Sequence, residues 1–591
     1  MTTPTVTLHC NNTGTDISVA QGSSLYQLST ELRDNLGFDP ICVRVNNKTE
    51  PLSYRVYNPK IIEMLPPTHD SGNRAYVRSL CMMLYCAIRR LYPEAKLKMM
   101  HSISHGYFCR VIGLETTEDT VRAIEAEMRR LHQADIPFVL HEAPTEQVIE
   151  LFKAQGLDDK VRLLTTIQDL YTKYYTLGDI ADSYYGCLAP STGHIGVFAL
   201  TTYKDGMLLR SLDPSNPTQT PEPIVQDKMF KAFTDYLDFN RILGVSNVGE
   251  LNRVAADGRT RDLINVAEAL HQKYISAIAD EITRRHRQGG ARIILIAGPS
   301  SSGKTTTTKR LAIQLMTNLL RPVMISLDNY FVDRAHTPRD ADGEYDYESL
   351  YALDLATFNS DLQDLLDGKE VGLPTYDFAT GTRKYKGNKI SLGADSVILI
   401  EGIHGLNPEL TPSIAESDKF RIYVSALTTL TIDDHNWVPT TDNRLLRRIV
   451  RDYKYRNIGA AETIRRWPSV RRGEEKWIFP YQENADATFN SSLLFELGVI
   501  RQYACEILGE VSCDQPEYAQ AYRLRKFLSY FPQIDNRTLP PTSLLREFLG
   551  GASFHYLAAR RHTRPHNADH SPGTPNPATP AYEGKDPAGQ T

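Results

Sequence analysis

The sequence predicts a multidomain α/β protein whose C-terminal half is built on a parallel sheet. Three observations point there. From about residue 290 onward, short apolar runs alternate with helical stretches, which implies strands joined by crossover helices. One of those runs enters a helix through a loop rich in glycine and serine, RIILIAGPSSSGKTTTTKRLAIQL (292–315). The chain has 591 residues, 41% apolar and 23% charged, close to the globular norm. At roughly 150 residues per domain that length suggests about four domains.

The elements follow in order. Val6, Leu8, Ile17 and Val19 alternate with polar residues on either side of NNTGTD, which predicts two strands around a turn. A helix over 24–36 and strands at 41–45 and 61–65 complete a β, β, α, β order, that of a β-grasp unit over 1–66. PPTHDSGN (66–73) reads as a linker. A second unit, 67–235, opens with an apolar-periodic helix over 76–92 that Pro93 stops, and continues with strands near 107–112 and 197–200. A helical connector spans 236–288 and ends at RRHRQGG. The parallel-sheet unit fills 289–555. The tail, 556–591, is rich in proline and offers almost nothing to a core, so disorder is expected.

Composition also excludes. The net charge is −5, which disfavours a globally basic nucleic-acid binder. The eight cysteines contain no CxxC pair and are too sparse for a disulfide scaffold, so reduced thiols are expected. The start, MTTPTVTLHCNN, has neither a basic n-region nor an apolar h-region. Apolar runs such as 293–297 and 397–400 are far shorter than the ~20 residues of a membrane helix. A cytoplasmic protein with no membrane partner is the expectation.

The chemistry begins at Gly298-Pro299-Ser300-Ser301-Ser302-Gly303-Lys304-Thr305, followed by Thr306. This is G-x-x-x-x-G-K-[ST] between a strand and a helix. The glycines let backbone N–H groups turn inward, and the helix N-terminus adds partial positive charge for phosphate. In such a loop Lys304 reaches the β- and γ-phosphates of ATP and Thr305 offers its hydroxyl to Mg²⁺. A second apolar run, 323–327, ends in Asp328, and a third, 396–400, ends in Glu401. Carboxylates at the C-terminal ends of parallel strands face the ligand crevice. Asp328 is placed to take a proton from an attacking hydroxyl or to help hold Mg²⁺, and Glu401 to belong to the same metal site. Further on, DNRLLRRIVRD (442–452) puts Arg444, Arg447, Arg448 and Arg451 on one helix face and Leu445, Leu446, Ile449 and Val450 on the other. With few acids among them, the arginines are expected to face outward as a lid that neutralises a transferring phosphoryl group.

In order, GPSSSGKTT, SLDNYF, EYDYESLYALD, LPTYDFATGTRKY, VILIEGI and DNRLLRRIVRD resemble the uridine kinase branch of the phosphoribulokinase/uridine kinase family. The resemblance covers about 290–490. It implies an ATP- and Mg²⁺-dependent transfer of phosphate to the 5′-hydroxyl of a nucleoside, uridine first; a homo-oligomer is a separate expectation. It implies Asp328 as base, Asp346 on the ribose hydroxyls, and Tyr376 and Phe378 around the nucleobase. Arg383 joins the substrate site, Glu401 and Thr305 the metal site, and Arg448 acts as the lid arginine on phosphate. Gly381 stands where relatives specific for uridine and cytidine carry a base-reading His, and Ile458 where a second lid arginine is expected.

The front of the chain is similar to the TGS and editing domains of threonyl-tRNA synthetase. VRSLCMMLYCAIRRLYPEAKL (77–97), SHGYF (104–108) and GCLAPSTGHIGVF (186–198) carry the likeness. The editing signature of two helix histidines, a cysteine and a further histidine falls on Met82, Cys86, Tyr184 and Leu188, so no editing hydrolysis and no metal are expected there. His101 and His105 are a decoy, since i and i+4 on a strand lie about 13 Å apart. An alternative reading is an RNA- or tRNA-binding regulatory ATPase. Arg465-Arg466 and Arg471-Arg472 could serve it, though the N-terminal half shows no basic stripe.

Overall fold

Ile293–Ala297 (β1) is an unbroken β-branched and aliphatic run, and every residue in it is buried. Such a run suits a central strand covered on both faces. It pairs in parallel with Ser396–Glu401 (β3) on one side and Lys419–Ser425 (β4) on the other. Arg321–Ser326 (β2) and Ala487–Asn490 (β5) complete a five-stranded parallel sheet of order β2-β3-β1-β4-β5. The loop after β1 leads into the helix Lys304–Thr317 (α1). The computed structural model describes residues 4–340, 343–377 and 380–554. Phe378 and the tail 556–591 therefore lie outside the described residues.

The front half is mixed. Thr5–Cys10, Thr15–Ala20, Cys42–Val45, Lys48–Glu50 and Lys60–Leu65 form a five-stranded sheet crossed by the helix Leu25–Leu36. Ser24 caps that helix in a reciprocal box with Gln27. The proposed linker is shorter than read. His69 caps a long buried helix, Asp70–Leu91, that starts inside it. Gly72 of that helix sits so close to Pro66 that a Cβ would fall 1.9 Å from the Pro66 carbonyl oxygen. Four antiparallel strands, Lys96–Ile103, Gly106–Ile112, Gly206–Ser211 and Phe198–Tyr203, and a separate three-stranded sheet surround this helix.

The helices between the halves are part of the parallel-sheet core. Asp227–Leu243 begins before the expected connector, and Val248–Ala256 and Thr260–Arg287 follow. Leu251, Leu263, Ile264, Ala267, Ile275 and Ile282 belong to the same buried cluster as Ile294, Leu311 and Leu399. A hairpin, Thr431–Asp433 with Asn436–Trp437, leaves the sheet after β4 and inserts into the front half. There Lys160 lies 2.9 Å from both Asp182 and Asp433, and His435 lies 2.8 Å from Asp182, all of them buried. The Met99 N–H donates to the Asp434 carbonyl at 2.7 Å. Among the described residues no helix is long and apolar enough to cross a membrane.

Candidate active site

The phosphate-binding loop wraps the C-terminal end of β1. At Gly298 a Cβ would lie 2.0 Å from the Val424 carbonyl oxygen, so the close pass of β4 admits only glycine. Lys304, the first residue of α1, folds back so that Nζ donates to the carbonyls of Gly298 at 2.8 Å and Pro299 at 3.1 Å. The Thr305 hydroxyl donates to the Glu401 carboxylate, whose oxygens lie 3.0 and 3.2 Å away. Asp328 follows β2 in a short 3₁₀ turn, Leu327–Tyr330, with its side chain open to the cleft.

These groups share one electrostatic environment. The cleft walls push the Asp328 carboxyl up, against the pull of Lys304, Arg456 and Arg451. Desolvation and then the neighbouring Asp328 raise Glu401 to about 7. Burial lowers Lys304, and Glu401 and Asp328 oppose that. Glu348, a carboxylate that motif reading passed over, faces the same cleft. Burial and then Glu474 raise it to about 7, while Arg448 and Lys304 pull it down. Glu348 packs on Gly473, where a Cβ would lie 2.4 Å from its own Cβ.

The arginine helix, Thr440–Arg456 (α2), corrects the outward-facing lid. Arg444 and Arg447 are fully buried, and so are Leu445, Leu446, Ile449 and Val450. The arginine face points inward onto the loop. Arg444 Nε donates to the Ser300 carbonyl at 3.0 Å, and Arg447 donates to the Ser301 carbonyl at 3.4 Å. Their charges are met by acids distant in sequence. Arg444 pairs with Glu474 on the next helix, Ala460–Trp477 (α3), and Arg447 with Glu496 at 2.5 Å. A buried guanidinium requires such a partner, and helix-local counting overlooked it. Arg448 and Arg451 are the members left beside the cleft. Arg448 donates to the Ser300 hydroxyl at 2.8 Å and lies 3.2 Å from Asp452, while Arg451 lies 2.8 Å from Asp452 and acts on Asp328. The Ser302 carbonyl accepts from Ser491, and the Thr306 N–H donates to Glu547.

The expected acceptor side is placed as follows. The Asp346 carboxylate accepts the Glu348 N–H at 3.1 Å. Tyr376 is buried, with its ring 5.5 Å from that of Phe331, which also meets Tyr347. The Arg383 guanidinium lies 2.8 Å from Asp354, so this arginine is engaged away from the loop. Gly381 has φ +69°, and a Cβ there would lie 2.8 Å from the Arg334 side chain. No histidine fits at that position without moving Arg334.

In the front half Met82, Cys86, Tyr184 and Leu188 are all buried in the apolar core. His101 is buried and stacked 3.6 Å from Phe233, whereas His105 occupies the following turn at φ +57° and not a strand. Arg465, Arg466 and Arg471 are paired with Glu517, Glu462 and Glu474, and Arg472 lies 3.9 Å from Asp340. These clusters present no free basic patch.

Residues 293–493 match the family model of the phosphoribulokinase/uridine kinase family. A uridine kinase of Staphylococcus aureus is 32% identical over 195 residues, 33% of this chain and 84% of that protein. The chain belongs to the phosphoribulokinase/uridine kinase family. In this family member the front of the chain has a different relative. A threonine–tRNA ligase of Desulforamulus reducens is 29% identical over 178 residues, 30% of this chain and 28% of the ligase. The chain therefore spans less than a third of the ligases it matches. A solved structure described as a possible uridine kinase from Bacillus stearothermophilus aligns with 36% of this chain and 100% of its own. The identity is 20% and the TM-score 0.24.

Proposed function

We propose that the protein is a nucleoside kinase that transfers the γ-phosphate of ATP to a nucleoside 5′-hydroxyl, with uridine the first candidate and pyrimidine salvage the setting. One observation carries this reading. Lys304, Thr305, Asp328 and Glu401 converge at the C-terminal ends of β1, β2 and β3, with Arg448 set on the same loop. The 32% identity to a uridine kinase supports the substrate class.

The donor set is of hard oxygens, Thr305 with Glu401 and Asp328 nearby, which fits Mg²⁺ held by one or two carboxylates and the substrate phosphates. When bound, the ion supplies charge for the phosphate oxygens. The residues do the rest. Asp328 accepts the proton of the attacking hydroxyl, and its raised pKa makes it a stronger base than an ordinary carboxylate. Lys304 exchanges the Gly298 and Pro299 carbonyls for phosphate oxygens. Arg448 stabilises charge developing on the transferring group. The TGS-like and editing-like front half serves as a structural part of the kinase.

The test is an assay of ADP release from ATP and Mg²⁺ across a panel of nucleosides. Uridine-stimulated release that Asp328→Asn abolishes is expected. Release indifferent to every nucleoside would remove the reading.

A further inference from the structure

The phosphate-binding loop carries a carboxylate of its own chain at a donor that phosphate needs. The Thr306 N–H, in the first turn of α1, donates to Glu547 Oε2 at 3.0 Å. Glu547 lies in the one-turn helix Arg546–Leu549 (α4), 241 residues further along the chain. The free N–H groups at the start of a helix following a glycine-rich loop are an anion seat. A carboxylate there takes the place of a phosphate oxygen.

The segment is fixed against the loop rather than resting on it. Leu544 packs on Gly303, where a Cβ would fall 2.8 Å from Leu544 Cδ2. The Phe548 ring lies 5.2 Å from the Arg447 guanidinium. Leu544, Leu545, Phe548 and Leu549 are buried. Arg546 donates to the carbonyls of Asn536 and Leu539 at 3.0 and 2.7 Å. Glu547 is the partly exposed member. A second carboxylate, Glu474, accepts the Ser300 N–H at 3.1 Å, but it is buried and locked between Arg444 and Arg471. Among the described residues Glu547 is held by the Thr306 N–H rather than by a salt bridge, and its charge acts on Lys304 and Glu401. Its side chain has one hydrogen bond to exchange while its backbone stays anchored.

From this we infer that Glu547 is an affinity-setting residue of the nucleotide site. Its carboxylate holds the Thr306 N–H and is exchanged for a phosphate oxygen of the incoming nucleotide. The inference rests on the nucleotide reading of the loop given above. The exchange makes nucleotide binding weaker than the bare loop would give, and it sets selectivity for a polyphosphate strong enough to displace a carboxylate.

Titration calorimetry of the full chain with ADP and Mg²⁺ tests it, comparing wild type with Glu547→Ala and Glu547→Gln. Glu547→Ala removes a charged acceptor that competes with phosphate for the Thr306 N–H, so it is expected to tighten Kd about tenfold or more. Glu547→Gln, which keeps an acceptor but loses the charge, is expected to fall between. Thermal unfolding of each variant within a few degrees of wild type shows that α4 stays seated. A Kd unchanged or weakened in Glu547→Ala overturns the inference while leaving the nucleotide reading intact. Absence of ADP binding to wild type and to both variants overturns the nucleotide reading itself.

Discussion

Arg444, Arg447 and Arg448 occupy nearly consecutive positions, yet their surroundings give them different tasks. Arg447 is wholly buried against Glu496, so Arg447→Met strands that acid and is expected to cost about 3–5 kcal/mol, read by denaturant unfolding. Arg448 borders the cleft. Arg448→Ala is expected to lower kcat about a hundredfold or more with little loss of stability, the pattern of a lost transition-state donor. Buried histidines add a pH dependence. Desolvation holds His101 and His271 down to about 3 and His404 to about 4. Their folded pKa values lie below the ordinary 6.5, so the unfolded chain binds more protons between those limits. The contribution of these three histidines is thus full above about pH 6.5 and falls as pH drops toward 4, by about 1.4 kcal/mol per pH unit for each. His101→Phe is expected to shallow the acid limb of a midpoint-versus-pH curve, and an unchanged slope would contradict the assignment.

At the scale of elements, the phosphate loop was legible because its chemistry is local. A strand, two glycines, a lysine and a helix are contiguous, and Asp328 and Glu401 each end an apolar run. The environment of α2 was not legible. Helical periodicity sorted its residues into two faces correctly, but periodicity does not tell solvent from a second buried surface. What turned the arginine face inward was Glu474 and Glu496, 30 and 49 residues from their partners. Glu348 and Glu547 escaped for the same reason, since each reaches the cleft only through tertiary packing. The hairpin Thr431–Asp433 with Asn436–Trp437 carries its own prediction. Lys160→Met leaves Asp182 and Asp433 buried with one cation fewer, and a loss of about 3–5 kcal/mol is expected in equilibrium unfolding.

For the molecule as a whole, the interlock matters more than the list of units. Residues 4–554 lie within one compact unit, and one apolar cluster joins Leu163 of the front half to Ile294 of the kinase sheet. Removing residues 1–285 would strip Leu263, Ile264, Ala267, Ile275 and Ile282 from that sheet, so an insoluble or molten product is expected rather than a folded parallel-sheet unit. Calorimetry of the full chain should accordingly show the front half and the kinase unfolding in one transition, not two. The synthetase likeness points to a second function standing alone, whereas the buried hairpin ties the front half to the parallel-sheet unit through Lys160, Asp182 and His435.

The most direct measurement is product identification after incubation with uridine, ATP and Mg²⁺, run beside Asp328→Asn. Uridine 5′-monophosphate and ADP are expected in equal amounts, with both lost in the variant. ADP formed without a phosphorylated nucleoside, or full product from Asp328→Asn, would contradict the proposed function.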